Sequence, residues 1–319
     1  MTEQPLVSIV INNYNYGRFL PTAIDSALNQ NYSSLEVIVV DDGSTDNSQE
    51  IIHNYGNKIV PVLKENGDHA STFNAGFFAS QGDIICFLDA DDRFLPEKIT
   101  QIVDIFNSHP EISWCFHPLK LVSTETEAVL GITRSFPQLN EDISALCDFR
   151  LQLRKGKLSF YAPSTSALCF RRSLLKQILP MPEILKQAAD RYLTYSSLFL
   201  GPGFFLNQEL TIQGIHHSND GTLRQGQKFR QRKARNQLVA AYLLRSKFPE
   251  LTKLTNRLFA RGFSYYLFNG VEETEARELI DSYHKTVTLF ERLIIILMAV
   301  YHSRPWKKVQ LYKEVIVNT

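Results

Sequence analysis

Short apolar runs separated by polar, acidic turns set the pattern of the first hundred residues. Leu6-Val7-Ser8-Ile9-Val10-Ile11 predicts a strand buried on both faces, and Asn12 to Gly17 a polar turn after it. Leu20, Ala23, Ile24, Ala27 and Leu28 then recur at helical spacing. Glu36 to Val40 predicts a second strand that ends in Asp41-Asp42-Gly43-Ser44-Thr45-Asp46. Ser44 or Thr45 can cap the next helix, which carries Ile51 and Ile52. Ile59 to Leu63 predicts a third strand, His69 to Ala79 a third helix, and Ile84 to Leu88 a fourth strand. Strand and helix alternate without interruption, which predicts an α/β fold: a mostly parallel sheet with helices on both faces.

In such sheets ligands bind outside the carboxyl ends of the strands. Three polar clusters sit at those ends, Asn12 to Tyr14, Asp41 to Asp46 and Asp89 to Asp92, and the fold brings them to one crevice. Asp89, Asp91 and Asp92 emerge directly from an apolar strand, where unpaired charge is costly. Carboxylates this close repel unless a cation lies between them, and a hard divalent ion, Mn²⁺ or Mg²⁺, suits them. A polar turn ahead of a helix with Pro96 in its first turn is the plainer alternative. No G-x-G-x-x-G follows the first strand, and no P-loop motif occurs. Tyr14, Asn12 and Asp42 suit a nucleobase: a ring to stack on, an amide and an acid for its edge and ribose. Taken singly, Tyr14 reads equally well as a turn tyrosine and Asp42 as a helix cap.

Beyond Asp92 the regularity fades. A helix is expected over Glu97–Phe106 and strands over Ser113–Phe116 and Leu119–Val122. Residues 124–165 are more polar, with one helix expected near Asp142 to Leu153. A short strand (Ala167–Phe170) and a helix (Arg171–Ile178) follow. Asp190 opens an amphipathic helix, a place where the helix dipole alone favours an acid. A strand within Gly201–Ile215 ends at His216-His217-Ser218-Asn219, which reads as a metal or phosphate contact or as a polar loop.

From Arg224 the composition changes, and a boundary is expected near residue 222. Lys228, Arg230, Arg232, Lys233 and Arg235 form a basic run that reads as a solvated helix face. Helices are expected over Leu238–Phe248, Leu251–Phe268, Thr274–His284 and Val287–Tyr301. The last carries Leu289, Leu293, Ile296, Leu297 and Val300 on one stripe and is followed by Arg304, Trp306, Lys307 and Lys308. Such a stripe serves neighbouring helices, the second subunit of a homodimer, or a membrane surface.

Composition narrows the classes. With 319 residues, 44% hydrophobic and 21% charged, the chain is an ordinary globular protein of about two domains. A formal net charge of +1 supplies no field that would draw it to nucleic acid. Cys86, Cys115, Cys147 and Cys169 are widely spaced and read as small core residues in a reducing compartment. The polar N-terminus is not that of a signal peptide, and the longest apolar run, Leu293 to Tyr301, is far below the roughly 20 residues that span a bilayer. A cytoplasmic protein is expected, with peripheral contact at the inner face of the membrane left open.

The ordered set V-S-I-V-I-N-N-Y-N, E-V-I-V-V-D-D-G-S-T-D, E-N-G, F-N-A-G and G-D-I-I-C-F-L-D-A-D-D resembles the family 2 glycosyltransferases of GT-A fold, over roughly residues 5–220. The resemblance implies a GT-A domain over 1–222, with a nucleotide-binding half (1–123) and an acceptor half (124–222), and leaves 223–319 as a C-terminal helical region. It implies inverting transfer of a sugar from a nucleotide-diphosphate donor, uridine-linked in most of the family, to a glycan or lipid-linked acceptor, assisted by Mn²⁺ or Mg²⁺. Carried over by position, Asn12 and Tyr14 hold the base and Asp42 bonds its edge. Asp89, Ala90 and Asp91 fill the D-x-D motif, with Asp91 as the direct metal ligand and Asp89 beside it. Asp190 holds the catalytic-base position, and His216 the place of a histidine on diphosphate or metal.

Three positions depart from the family pattern. Ala189 replaces the Glu of a Glu-Asp pair, Gly214 an arginine two residues before the histidine, and Thr72-Phe73 stands where many members have an arginine. Other readings compete. A sugar nucleotidyltransferase would need a glycine-rich basic loop after the first strand, which Asn12–Gly17 does not offer. A processive synthase would need the tryptophan that Gln227-Lys228-Phe229-Arg230-Gln231 lacks, together with membrane spans. A non-catalytic nucleotide-sugar-binding or scaffold protein would have no use for Asp42, Asp89, Asp91 and Asp190 together.

Overall fold

The computed structural model describes residues 4–133, 144–157, 163–217, 219, 226–271 and 273–303. Asp142, Ser218, Arg224, Arg304, Trp306, Lys307 and Lys308, named above, lie outside the described residues. The chain opens with β1 (Val7–Asn13), α1 (Leu20–Leu28), β2 (Leu35–Asp41), α2 (Ser48–Asn54), β3 (Val60–Leu63), α3 (Asp68–Ala79) and β4 (Ile84–Asp89). It continues through β5 (Arg93–Phe94), α4 (Lys98–Ser108), β6 (Trp114–Phe116), β7 (Lys120–Ser123), β8 (Val129–Ile132), β9 (Ala145–Cys147) and α5 (Arg150–Arg154). Then come β10 (Leu168–Arg171), α6 (Arg172–Leu175), α7 (Ala189–Leu200), β11 (Gly203–Phe205) and β12 (Thr211–Ile215). Four helices end the described chain: α8 (Gln227–Lys247), α9 (Thr252–Asn269), α10 (Thr274–Lys285) and α11 (Leu289–His302). Two compact units result, one drawn from Met1–Asp148 and Ser159–His216, the other from Phe149–Leu158 and His217–Val317.

The first unit is built on an eight-stranded sheet in the order β3-β2-β1-β4-β10-β6-β11-β9. Its first four strands are parallel, as the alternating pattern requires. Beyond β4 the sheet turns mixed, because β10 runs antiparallel to both β4 and β6. Side chains of Val7, Ile9, Ile11, Val37, Val39, Cys86 and Leu88 fill one face beneath α1 and α4. Period-two alternation therefore sends Asn12 and Asp89 to the opposite face, where His69 of α3 lies against Asp89. All four cysteines are buried and unbridged, small core residues as expected.

Two expectations are corrected by pairing between distant segments. Residues 145–147, assigned to a helix near Asp142 to Leu153, form β9, which adds to the sheet edge beside β11; the helix α5 begins only at Arg150. The stretch Gly201–Ile215 holds two strands in two sheets. β11 stays in the large sheet, whereas β12 joins a second sheet of order β5-β12-β7-β8 that the sequence pattern did not announce. Strands this short carry too little periodicity to declare which sheet they enter.

The second unit is helical. α8 starts at Gln227, earlier than expected, so the basic run lies on it and Arg235 pairs with Glu275 of α10. Phe259 and Tyr283 stack at 3.9 Å between α9 and α10, and Tyr283 donates to Asn256 Oδ1 at 2.8 Å. A capping box of Thr288 and Glu291 starts α11, whose Ile295 and Ala299 are buried. Among the described residues no helix is long and apolar enough to cross a membrane.

Candidate active site

Register alone brings the first three polar clusters together. On β1, Asn12 lies opposite Val40 of β2 and Asp89 of β4, and Asn13 opposite Asp41. Backbone bonds extend the pairing into the loops, with Asp42 N donating to Asn13 O (2.9 Å) and Ala90 N to Asn12 O (3.1 Å). Asp41 is the knot between the loops: it accepts from Asn13 Nδ2 (2.7 Å), from Ser44 Oγ and N, and from Gln49. Asn15, in the left-handed region at φ 57°, accepts from Thr45 N at 2.7 Å and donates its own N–H to Ser44 Oγ at 2.8 Å. Tyr14 stands on this platform 46% exposed, a ring presented to solvent.

Asp42 is buried and held from one side by Lys64 Nζ (2.6 Å), Gly67 N (3.0 Å) and Ser71 Oγ (3.4 Å), all on Oδ1. Oδ2 accepts from Asn66 Nδ2 at 3.1 Å. A carboxylate oxygen has about two lone-pair positions, so Oδ2 retains capacity for one further donor. Beside it opens a cleft of about 550 Å³ lined by Gly43, Ser44, Gln49, Leu63, Lys64, Glu65 and Asn66. Gly43 has φ +73°, and a side chain there would meet Asn66 N at 2.8 Å. Asn12 is the most telling of these residues. It is buried, yet neither its amide nitrogen nor its oxygen has a hydrogen-bond partner. A buried amide left unmatched costs about 1–3 kcal/mol, a cost that a ligand's polar edge would remove.

The three aspartates after β4's apolar run are each held differently. Asp89 Oδ1 faces His69 Nε2 at 3.6 Å; Asp91 Oδ2 faces His216 Nε2 at 3.1 Å. Asp92 is buried, accepting from Ser166 Oγ (2.6 Å) and Gly214 N (3.0 Å). Burial pushes its carboxyl well above the usual range, with Asp91 and Asp89 adding to the effect. Asp92 therefore ties the loop after β4 to the turn before β10 and to β12. Ala90 is buried between them. His216 stacks on Phe19 at 4.4 Å and meets Tyr16 edge-on at 5.6 Å, so the loop after β1 fixes its ring.

Beneath these acids lies Lys98, fully buried. Its Nζ donates to Ser166 O (2.8 Å) and Thr211 Oγ1 (3.1 Å) and sits 3.4 Å above the Phe94 ring. Burial draws its pKa down despite the nearby thiols and Asp92. Ser166 also accepts from Asp89 N at 3.0 Å, so one serine connects Lys98 to both Asp89 and Asp92.

Asp190 lies in the first turn of α7, where its Oδ1 accepts from Arg191 N at 2.6 Å. α3 packs against α7 and against the turn before it. Asn74 of α3 clamps that approach, donating to Met181 O (2.9 Å) and accepting from Met181 N (2.8 Å). The field of Asp190 acts on both His69 and Asp89. Burial opposes the charge of His69, but the bond and charge of Asp89, with Asp190 and Asp42 behind it, hold its pKa above the ordinary value. Burial, Asp91 and Asp190 likewise raise Asp89, against the pull of His69.

Sequence reasoning missed His69. Its signal was available: the first turn of a helix, two residues after E-N-G, in the segment that follows β3. Thr72 and Phe73 are both buried, Phe73 against Phe87, leaving His69 as a basic group on this end of α3. Gly214 also has a steric reason, since a Cβ there would fall 2.3 Å from the Asp91 carbonyl oxygen. An arginine at 214 could not be accommodated without displacing the acid.

Among the described residues no three His, Cys, Asp or Glu side chains form a ready cation cage. Asp91 and His216 offer two donors side by side, while Asp89 is engaged by His69. Two donors fit a divalent ion whose shell is completed by phosphate oxygens and water, the usual arrangement for Mg²⁺ on a nucleotide.

Known proteins agree with this architecture. The model of the family described as "Glycosyl transferase family 2" matches residues 8–179. A glycosyltransferase of Nostoc sp. (strain PCC 7120) is 32% identical over 272 residues, covering 82% of each chain. The chain belongs to glycosyltransferase family 2. Among solved structures, S. aureus TarS superposes with a TM-score of 0.61 at 16% identity, over 93% of this chain and 53% of TarS, so this glycosyltransferase spans about half that protein's length. TarS 1-349 in complex with UDP-GlcNAc gives 0.58 at 18% identity, over 87% and 79%. These likenesses establish a family 2 glycosyltransferase with a GT-A-like sheet and an added helical region.

Proposed function

We propose that this glycosyltransferase moves a sugar from a nucleoside-diphosphate donor, UDP-linked by preference, to an acceptor hydroxyl, with inversion at the anomeric carbon, assistance from Mn²⁺ or Mg²⁺, and Asp190 as general base. The reading is carried by one observation: Asn12, buried with both amide atoms unmatched, is set by strand register beside Asp89 of the D-x-D motif, ready for a polar ligand. The preference for uridine is borrowed from TarS, crystallised with UDP-GlcNAc.

Each residue then has a task. Tyr14 stacks on the base, the unmatched amide of Asn12 meets a polar edge of the nucleoside, and Asp42 Oδ2 accepts from the base. His69 keeps Asp89 from repelling the diphosphate. Asp91 and His216 would hold a divalent cation, and such an ion would supply Lewis-acid neutralisation of charge at the diphosphate. Asp190 accepts the proton of the acceptor hydroxyl as its oxygen attacks the face of the sugar opposite the leaving group. Acceptor choice, a glycan or a lipid-linked sugar, falls to the half from residue 124 to 222.

The reading is tested by a thermal-shift screen of nucleotide-sugars with Mn²⁺, since a donor that binds only the folded state raises the melting temperature. The product's anomeric configuration is then read by NMR. A β-linked product from an α-linked donor is expected; a retained configuration would exclude inversion and the role given to Asp190.

A further inference from the structure

α11 is apolar on the wrong side for a helix that belongs only to a core. Ile295 and Ala299 face its own unit and are buried, whereas Leu289 (79% exposed), Phe290, Leu293 (61%), Leu297 (69%), Val300 and Tyr301 are exposed. At about 100° per residue these outward side chains cover an arc of roughly 120°, on the far side of the helix from Ile295 and Ala299. Its two charged residues do not interrupt that arc. Glu291 turns back to accept from Thr288 N (2.9 Å) and Asn256 Nδ2 (3.1 Å), and Arg292 donates to His284 O (3.0 Å). A helix apolar on both sides needs a second apolar environment.

The charge of the sequence that follows selects the occupant. Arg304, Lys307, Lys308 and Lys313 come directly after α11, with Trp306 among them and no acidic residue before Glu314. Two copies paired through this face would bring no acid to those cations, because its exposed arc carries none. Anionic headgroups supply the missing charge, and tryptophan with lysine beside an apolar helix face is the pattern of interfacial anchors. We propose that α11 lies in the plane of an anionic lipid surface, with its outward leucines in the acyl boundary. This inference stands independently of the sugar-transfer reading.

The test is co-sedimentation of the full chain with vesicles of phosphatidylglycerol and phosphatidylcholine, against vesicles of phosphatidylcholine alone. Binding to the anionic vesicles is expected to fall at least about tenfold for L293E/L297E and for K307E/K308E, the second loss mirrored by high salt in the unaltered chain. Leu293 and Leu297 are exposed, so the fold should tolerate their replacement, and the lysine pair tests the claim even if it does not. Brominated lipid should quench Trp306, because the other tryptophan, Trp114, is buried. No sedimentation, equal binding to neutral vesicles, or a dimer in sedimentation velocity that L293E/L297E dissolves would each overturn the proposal.

Discussion

Asp91 Oδ2 lies 3.1 Å from His216 Nε2, a contact that joins the end of β4 to the end of β12 across two different sheets. This pair is where the proposed cation would be held. Asp91→Ala and His216→Ala are each expected to weaken Mn²⁺-dependent nucleotide-sugar binding at least about tenfold, or roughly 1.4 kcal/mol. Isothermal titration with and without EDTA measures this. Unchanged affinity in both variants would move the cation elsewhere.

Asn12 separates a binding role from a structural one. Its buried amide has no protein partner, so Asn12→Leu should leave the melting temperature unchanged or slightly raised. Donor affinity should fall by about tenfold as the nucleoside loses its polar contact. A clear loss of stability with normal donor affinity would mean the amide supports the fold instead.

Ser166 carries the opposite expectation. It satisfies Asp92 Oδ2, accepts from Asp89 N and presents its carbonyl to Lys98. Ser166→Ala should destabilise by about 1–3 kcal/mol, the cost of a buried polar group losing its partner. Lys98→Met should cost as much or more, because a buried charge and its acceptors part company. Urea unfolding midpoints decide it, and near-neutral values in both would remove the network's structural role.

His117 sets an acid limit. Buried, with Lys98 nearby, its ring is held well below the ordinary histidine pKa although the Pro118 carbonyl favours the charged form. A depressed folded pKa means the stability is present above the unfolded pKa, about 6.5, and is lost as pH falls below it, by up to about 1.4 kcal/mol per pH unit. His69, raised in the fold, acts in the other window: its contribution is complete below about pH 6.5 and fades as pH rises through its folded value. Melting temperatures of the wild type and His117→Leu, compared from pH 7 to 5, should converge on acidification. Parallel curves would contradict the assignment.

The parallel core of the fold was written in the chain because β1, β2 and β4 are long apolar runs that end in polar turns. Register then fixes Asn12 beside Asp89 and Asn13 beside Asp41 with little help from elsewhere. β9 and β12 were illegible: three and five residues leave no period to read, and pairing with distant strands decides their place. Asp190 could be assigned only through the family pattern, since its position depends on how Asn74 grips Met181. His69 was passed over because one histidine in a helix's first turn carries no periodic signal; what defines it is the field of three acids folded around it.

The role of Asp190 is tested most directly by single-turnover kinetics of Asp190→Asn at saturating nucleotide-sugar and Mn²⁺. The chemical step should slow by at least about 10²-fold while donor affinity stays within about twofold of the wild type. Transfer at a near-normal rate in that variant would contradict the account, because no proton acceptor would then be required at position 190.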